Sequence, residues 1–138
     1  MAALYVRVRV AGEEYALPVD VVLEVAELGA ATPVPGAPPA VLGVRNLRGS
    51  VLPVVDLAAA LGLRDDGSAA RVVVVEHGGR HAALSVAEVV GVDTLPAVTQ
   101  DVGSPNLSGG ALIGGRLVGI VDVRALLDAL QEAPPDGR

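Results

Sequence analysis

The residues of this chain whose types and spacing invite a chemical reading are two histidines, a handful of serines and aspartates, two glycine pairs and one arginine. His77 and His81 are spaced like two metal ligands on one helical face. Gly78-Gly79 between them marks a hairpin turn, which abolishes that geometry, so they read as surface hairpin histidines and no metal is expected. Ser85, His81 and Asp122 could be drawn together as a nucleophilic set, yet no serine is held between glycines on a strand-to-helix turn. Gly109-Gly110 and Gly114-Gly115 could line a phosphate loop, but the basic residues are all Arg, which excludes a Walker-type lysine. Asp56 and Asp122 could serve as paired carboxylates. Each also precedes a short helical pattern, where an aspartate side chain accepts from an unpaired helix N–H. Arg48 is left over: it sits in a turn beside Asn46 and Gly49, where no backbone requirement calls for a long cation.

The elements that must position these residues read as strands. Of 138 residues 51% are hydrophobic, but Phe, Trp and Cys are absent and only Tyr5 and Tyr15 are aromatic. The core must therefore be built from Val, Leu and Ala, and β-branched side chains favour a pleated, half-buried surface. Val6, Val8 and Val10 alternate with Arg7 and Arg9, the period of a strand. Ala11 to Glu14 then supply a turn, a second strand starts at Tyr15, and Asp20 is expected to cap a helical turn over 21–24. The stretch 29–39 is too rich in proline for a helix or central strand. From Val41 to Leu57 the pattern is strand, turn, strand, with Asp56 opening a helix to Leu61 that Gly62 ends.

The same signals then recur. Val6, Val8, Gly12, Leu17, Val19, Val22 and Val25 match residues 67 positions later, and Gly49 to Leu57 match Gly115 to Val123 at 66. Two related β subdomains are predicted, 1–66 and 67–130, with 131–138 a flexible tail. Five short strands per half are too few for a flat sheet to cover its faces, so closure into small barrels is expected.

The net charge of −6 and pI near 4.7 argue against nucleic acid, which needs clustered cations. Despite a mean hydropathy of +0.54, no window approaches the roughly 20 apolar residues of a membrane span, and no targeting peptide is visible. A soluble protein with a protein partner, no cofactor and no direct membrane insertion is expected; the lack of cysteine is compatible with a reducing compartment.

Leu42-Gly43-Val44, Asn46-Leu47-Arg48-Gly49 and Val54-Val55-Asp56-Leu57 together resemble the signature segment of the CheW family of chemotaxis adaptors. The resemblance runs from about Tyr5 to Leu130 and takes in Gly12 to Tyr15, Val22 to Val25 and Leu117 to Val123. It implies an all-β fold of two intertwined five-stranded Src-homology-3-like β-barrels with short helices, forming one CheW-like domain, with strand exchange between the halves left open. It also implies a non-catalytic cytoplasmic adaptor, recruited to membrane-associated receptor arrays. One surface would bind the regulatory domain of the histidine kinase CheA and another the cytoplasmic tip of chemoreceptors. By position, Arg48, Glu24, Gly43 and Val22 fall on the family's receptor-binding surface; no kinase-binding residues are singled out. Gly36 to Pro39 depart from the family's more usual Asn-Thr-Pro pattern, and Ala87 stands where aspartate is frequent. The alternatives are a small-ligand sensor using an apolar seam between the barrels, and another CheW-like interaction module in a non-flagellar pathway.

Overall fold

The computed structural model describes residues 3–96, 98–99 and 104–131. Eleven strands and two short helices follow one another: β1 (Leu4–Val10), β2 (Glu13–Pro18), β3 (Val22–Glu27), β4 (Val41–Leu47), β5 (Ser50–Val55), α1 (Leu57–Ala60), β6 (Arg71–His77), β7 (Arg80–Val86), β8 (Glu88–Thr94), β9 (Val98–Thr99), β10 (Leu107–Ile113), β11 (Arg116–Val121) and α2 (Val123–Gln131). They form a six-stranded sheet, β8-β1-β2-β11-β10-β9, and a five-stranded sheet, β3-β6-β7-β5-β4. Each sheet mixes strands from both segments of the chain. The β1–β2 hairpin lies between β8 and β11, and the β6–β7 hairpin lies between β3 and β5.

The two arrangements are alike in detail. β5 runs parallel to β7 as β11 runs parallel to β2, and both β3–β6 and β8–β1 carry a bulge at matching positions. Asp56 Oδ1 accepts from Ala59 N at 3.3 Å and Asp122 Oδ1 from Ala125 N at 3.0 Å, so both aspartates cap helices as expected.

Neither sheet closes through a ladder between its end strands among the described residues. The chain leaving β3 bridges back to β4 through Thr32 and Val44, at 2.8 and 2.9 Å, joining the two ends of the five-stranded sheet at one point. In the other sheet β9 does the same for β8, pairing Thr99 with Gly110. Both approaches need glycine: a methyl on Gly43 would stand 2.3 Å from the Thr32 carbonyl oxygen, and one on Gly109 2.4 Å from that of Thr99.

Two apolar clusters result. The larger joins the sheets and both helices through Val8, Leu17, Val55, Leu57, Val73, Val75, Leu84 and Leu126; the smaller lies on the other face of the five-stranded sheet and comprises Leu52, Val54, Val72, Val74 and Ala83. The buried residues of both are Val, Leu and Ala, as the lack of Phe and Trp dictates.

Local differences from the sequence reading have local causes. The first turn is only Ala11-Gly12, both at positive φ, and Glu13 and Glu14 already belong to β2. The helical turn falls on Val19–Val21 rather than on 21–24, and it receives no side-chain cap from Asp20. Val22 to Glu24 are instead drawn into β3 by pairing with Val75 and Val74. Gln131 closes α2 rather than opening a tail; residues 132–138 lie outside the described residues.

Candidate functional site

The bulge in β3 between Val22 and Glu24 decides where Glu24 points. Val22 pairs with Val75, a member of the larger cluster, whereas Glu24 pairs with Val74 and Ala26 with Val72, both in the smaller cluster. Directly paired residues share a face, so Glu24 lies on the face of the five-stranded sheet that carries the smaller cluster. A lone carboxylate there would be costly. Arg48 answers it: its Nε lies 3.0 Å from Glu24 Oε1. The N–H is not directed at the oxygen, which is buried and has no hydrogen bond, so the contact is ionic.

Arg48 reaches this position from the β4–β5 turn, where it holds φ 55° and Gly49 holds φ 87°. Asn46 Oδ1 stabilises the turn by accepting from Gly49 N at 3.0 Å. The Arg48 side chain is 79% exposed and that of Glu24 28%. Most of the guanidinium fork is therefore open to solvent and able to meet a carboxylate on a partner.

The internal likeness of the halves separates residues the fold requires from residues it does not. The position equivalent to Gly43 is Gly109, pressed against a carbonyl in the same way, so Gly43 serves a shared backbone approach and is itself buried. The position equivalent to Val22 is Val89, at the matching bulge. By contrast Glu24 and Arg48 correspond to Gly91 and Gly114, and Gly114 has φ 57°. The ion pair exists in one half only. Of the residues predicted at this surface, the structure brings Arg48 and Glu24 into contact, sets Val22 beside Glu24 on the same strand, and places Gly43 beneath the 29–39 segment.

Two clusters of charge escaped the sequence reading. Arg7 pairs with Glu14 at 2.6 Å and with Asp93 at 3.0 Å, and those hydrogen bonds hold its pKa above the ordinary value against a smaller cost of burial. Arg45 Nη1 donates to the carbonyls of Glu27 at 2.6 Å and Leu28 at 2.7 Å. Asp93 and the two carbonyls are remote in sequence, and only the charge alternation in β1 hinted at the first pairing.

The other chemically suggestive residues are engaged separately. His81 Nε2 lies 3.4 Å from Glu76, Ser85 Oγ accepts from Leu57 N at 3.3 Å, and Asp122 caps α2. No group of three metal-ligating side chains occurs among the described residues. A groove of about 230 Å³ runs between Val34, Pro38, Val44 and Pro53 on one side and Leu127 and Leu130 on the other. On its rim Arg80 is paired with Asp128 at 2.7 Å. Among the described residues no helix is long and apolar enough to cross a membrane.

The family model for the CheW-like domain matches residues 4–131. The chain belongs to the CheW-like family. It is 31% identical over 137 residues to the chemotaxis protein CheW of Bacillus subtilis, a match that covers 91% of this chain and 88% of that protein. It is 33% identical over 124 residues to protein FrzA of Myxococcus xanthus, covering 88% and 76%. A shorter match to the chemotaxis protein CheW of Rhizobium meliloti reaches 43% identity over 67 residues, which is 49% of this chain and 43% of the relative. The crystal structure of scaffolding protein TtCheW from Thermoanaerobacter tengcongensis superposes with a TM-score of 0.85 at 25% identity, over 100% of this chain and 92% of that one. CheW-like proteins are non-catalytic scaffolds, so no residue here needs a catalytic role.

Proposed function

We propose that this CheW-like scaffold is a cytoplasmic adaptor that couples the cytoplasmic tips of chemoreceptors to the regulatory domain of the histidine kinase CheA, within membrane-associated arrays. The observation that carries the receptor half of this reading is the Arg48–Glu24 pair. It stands on an exposed turn, and the fold does without it at Gly114 and Gly91. A left-handed φ costs an arginine about 1–2 kcal/mol that glycine does not pay, so arginine at this turn is explained by use rather than by folding. Leu23 and Val25, exposed neighbours of Glu24 along the edge strand β3, supply apolar surface for the helices of a receptor tip.

For the kinase, exposed apolar residues on the opposite hairpin are the natural anchors. Leu112 and Leu117 face each other across β10 and β11 and are 65% and 60% exposed.

Calorimetric titration with the two fragments tests both halves. The chain should bind a CheA regulatory domain and a receptor-tip fragment saturably. Arg48→Glu should weaken only the receptor step, by roughly tenfold or more, since it replaces a donor fork with a like charge beside Glu24. Leu112→Asp should weaken only the kinase step. Absence of binding to either fragment would overturn the adaptor reading.

A further inference from the structure

Both sheets bring their end strands together with the same backbone device, Thr32 against β4 and Thr99 against β10. The five-stranded sheet has one more fastening. From β4, Arg45 reaches across to the end of β3, where its Nη1 donates to the carbonyls of Glu27 and Leu28. Its guanidinium lies over Gly29 so closely that a methyl there would stand 2.9 Å from Cζ. In the other half the corresponding residues are Ala111 and Pro96, and among the described residues that sheet is joined without any such clasp. Approach of the end strands therefore does not require Arg45.

What the clasp does join is the pair of strands that carry the candidate site. Glu24 lies three residues before Glu27 on β3, and Arg48 three residues after Arg45 at the end of β4. An ionic contact without a directed hydrogen bond tolerates a range of separations, so its length is set by the backbones on either side. We infer that Arg45 is a positioning residue: by holding the end of β3 against β4 it fixes where the Glu24 carboxylate meets the Arg48 guanidinium, and through that pair it sets affinity for the receptor tip. The inference rests on the receptor reading of the Arg48–Glu24 site.

The test uses Arg45→Met, which keeps the aliphatic stem and removes the donors, in the full chain. Two quantities are read: the Arg48 side-chain Nε–H resonance in an arginine-labelled sample, assigned by its loss in Arg48→Gln, and the affinities for the receptor-tip and kinase fragments. The resonance should move to the position of freely solvated arginines. Receptor affinity should fall roughly three- to tenfold, the lower part of the range of couplings between interacting residues, with kinase affinity unchanged. In a Glu24→Gln background Arg45→Met should cost no further receptor affinity, a pattern that general loosening of the sheet would not produce. Gly29→Ala, which displaces the guanidinium from the other side, should reproduce these effects and serves if Arg45→Met does not fold. An unmoved Arg48 resonance overturns the inference. So does unchanged receptor affinity in Arg45→Met while Arg48→Glu still weakens it. If the unmodified chain binds no receptor fragment, the receptor reading falls, and with it the link to affinity; the resonance alone then decides whether Arg45 positions the pair.

Discussion

Arg48 combines a conformational cost with an electrostatic gain, and the two are separable by mutation. Arg48→Gly removes the left-handed strain and also the cation beside Glu24. Strain relief of about 1–2 kcal/mol largely offsets the loss of the cation beside Glu24, whose buried Oε1 is left unpaired at a cost of about 1–3 kcal/mol. The variant should thus unfold within a few degrees of the parent in a thermal melt while losing receptor binding. Arg48→Ala keeps the strain, loses the pair and should be the less stable of the two. Tyr15 provides a pH-dependent check on packing. Burial, helped by Glu13, raises its pKa above the ordinary 10.0. The folded state therefore holds the phenolic proton more tightly than the unfolded one. This contribution to stability is complete below pH 10 and is lost as pH rises through the folded pKa. Urea unfolding at a series of alkaline pH values should show this decline, and Tyr15→Phe should lessen it.

At the level of elements, what matters is where strands approach one another. Gly43→Ala and Gly109→Ala each force a methyl against a backbone carbonyl, which cannot rotate away as a side chain could. Each should destabilise by about 1–3 kcal/mol, read as a lower urea midpoint with an unchanged slope. Similar costs at the two sites would identify Gly43 as a fold residue that acts on the proposed receptor surface only indirectly; a binding defect with full stability would contradict this. The helix caps are likewise a matched pair, and Asp56→Ala and Asp122→Ala should each cost about 1 kcal/mol. The caps were legible in the sequence because a cap is local: the aspartate and the N–H it satisfies are three residues apart. Arg45 was not legible, because its acceptors are carbonyls 17 and 18 residues earlier and a carbonyl leaves no mark on residue type. Arg7 was half legible. Alternation placed it opposite the valines, yet its side chain is only 20% exposed, with Glu14 and Asp93 beside it.

For the whole molecule, strand exchange makes each half depend on the other. Residues 1–66 alone would hold β1–β2 without β8 or β11 and β3 without β6, leaving unpaired edges and an incomplete larger cluster. The fragments 1–66 and 67–138 should each be largely unfolded by circular dichroism and regain strand signal on equimolar mixing. The intact chain should unfold in one transition, with tyrosine fluorescence and circular dichroism coinciding. Two independently folding halves would give two transitions and structured fragments.

The sequence by itself determined what depends on neighbours along the chain. That includes the strand periodicity, the glycine turns, the two aspartate caps, an aromatic-poor core, the internal likeness of the halves and the family signature around Arg48. Only the tertiary structure decided how the hairpins are shared between two sheets, that a bulge turns Glu24 to the face with the smaller cluster to meet Arg48, and that Arg45 clasps two strands the sequence leaves apart. The physical reason is one of range: propensities and caps act over a few residues, whereas pairing partners and the sign of charge a side chain meets depend on which distant strand lies alongside.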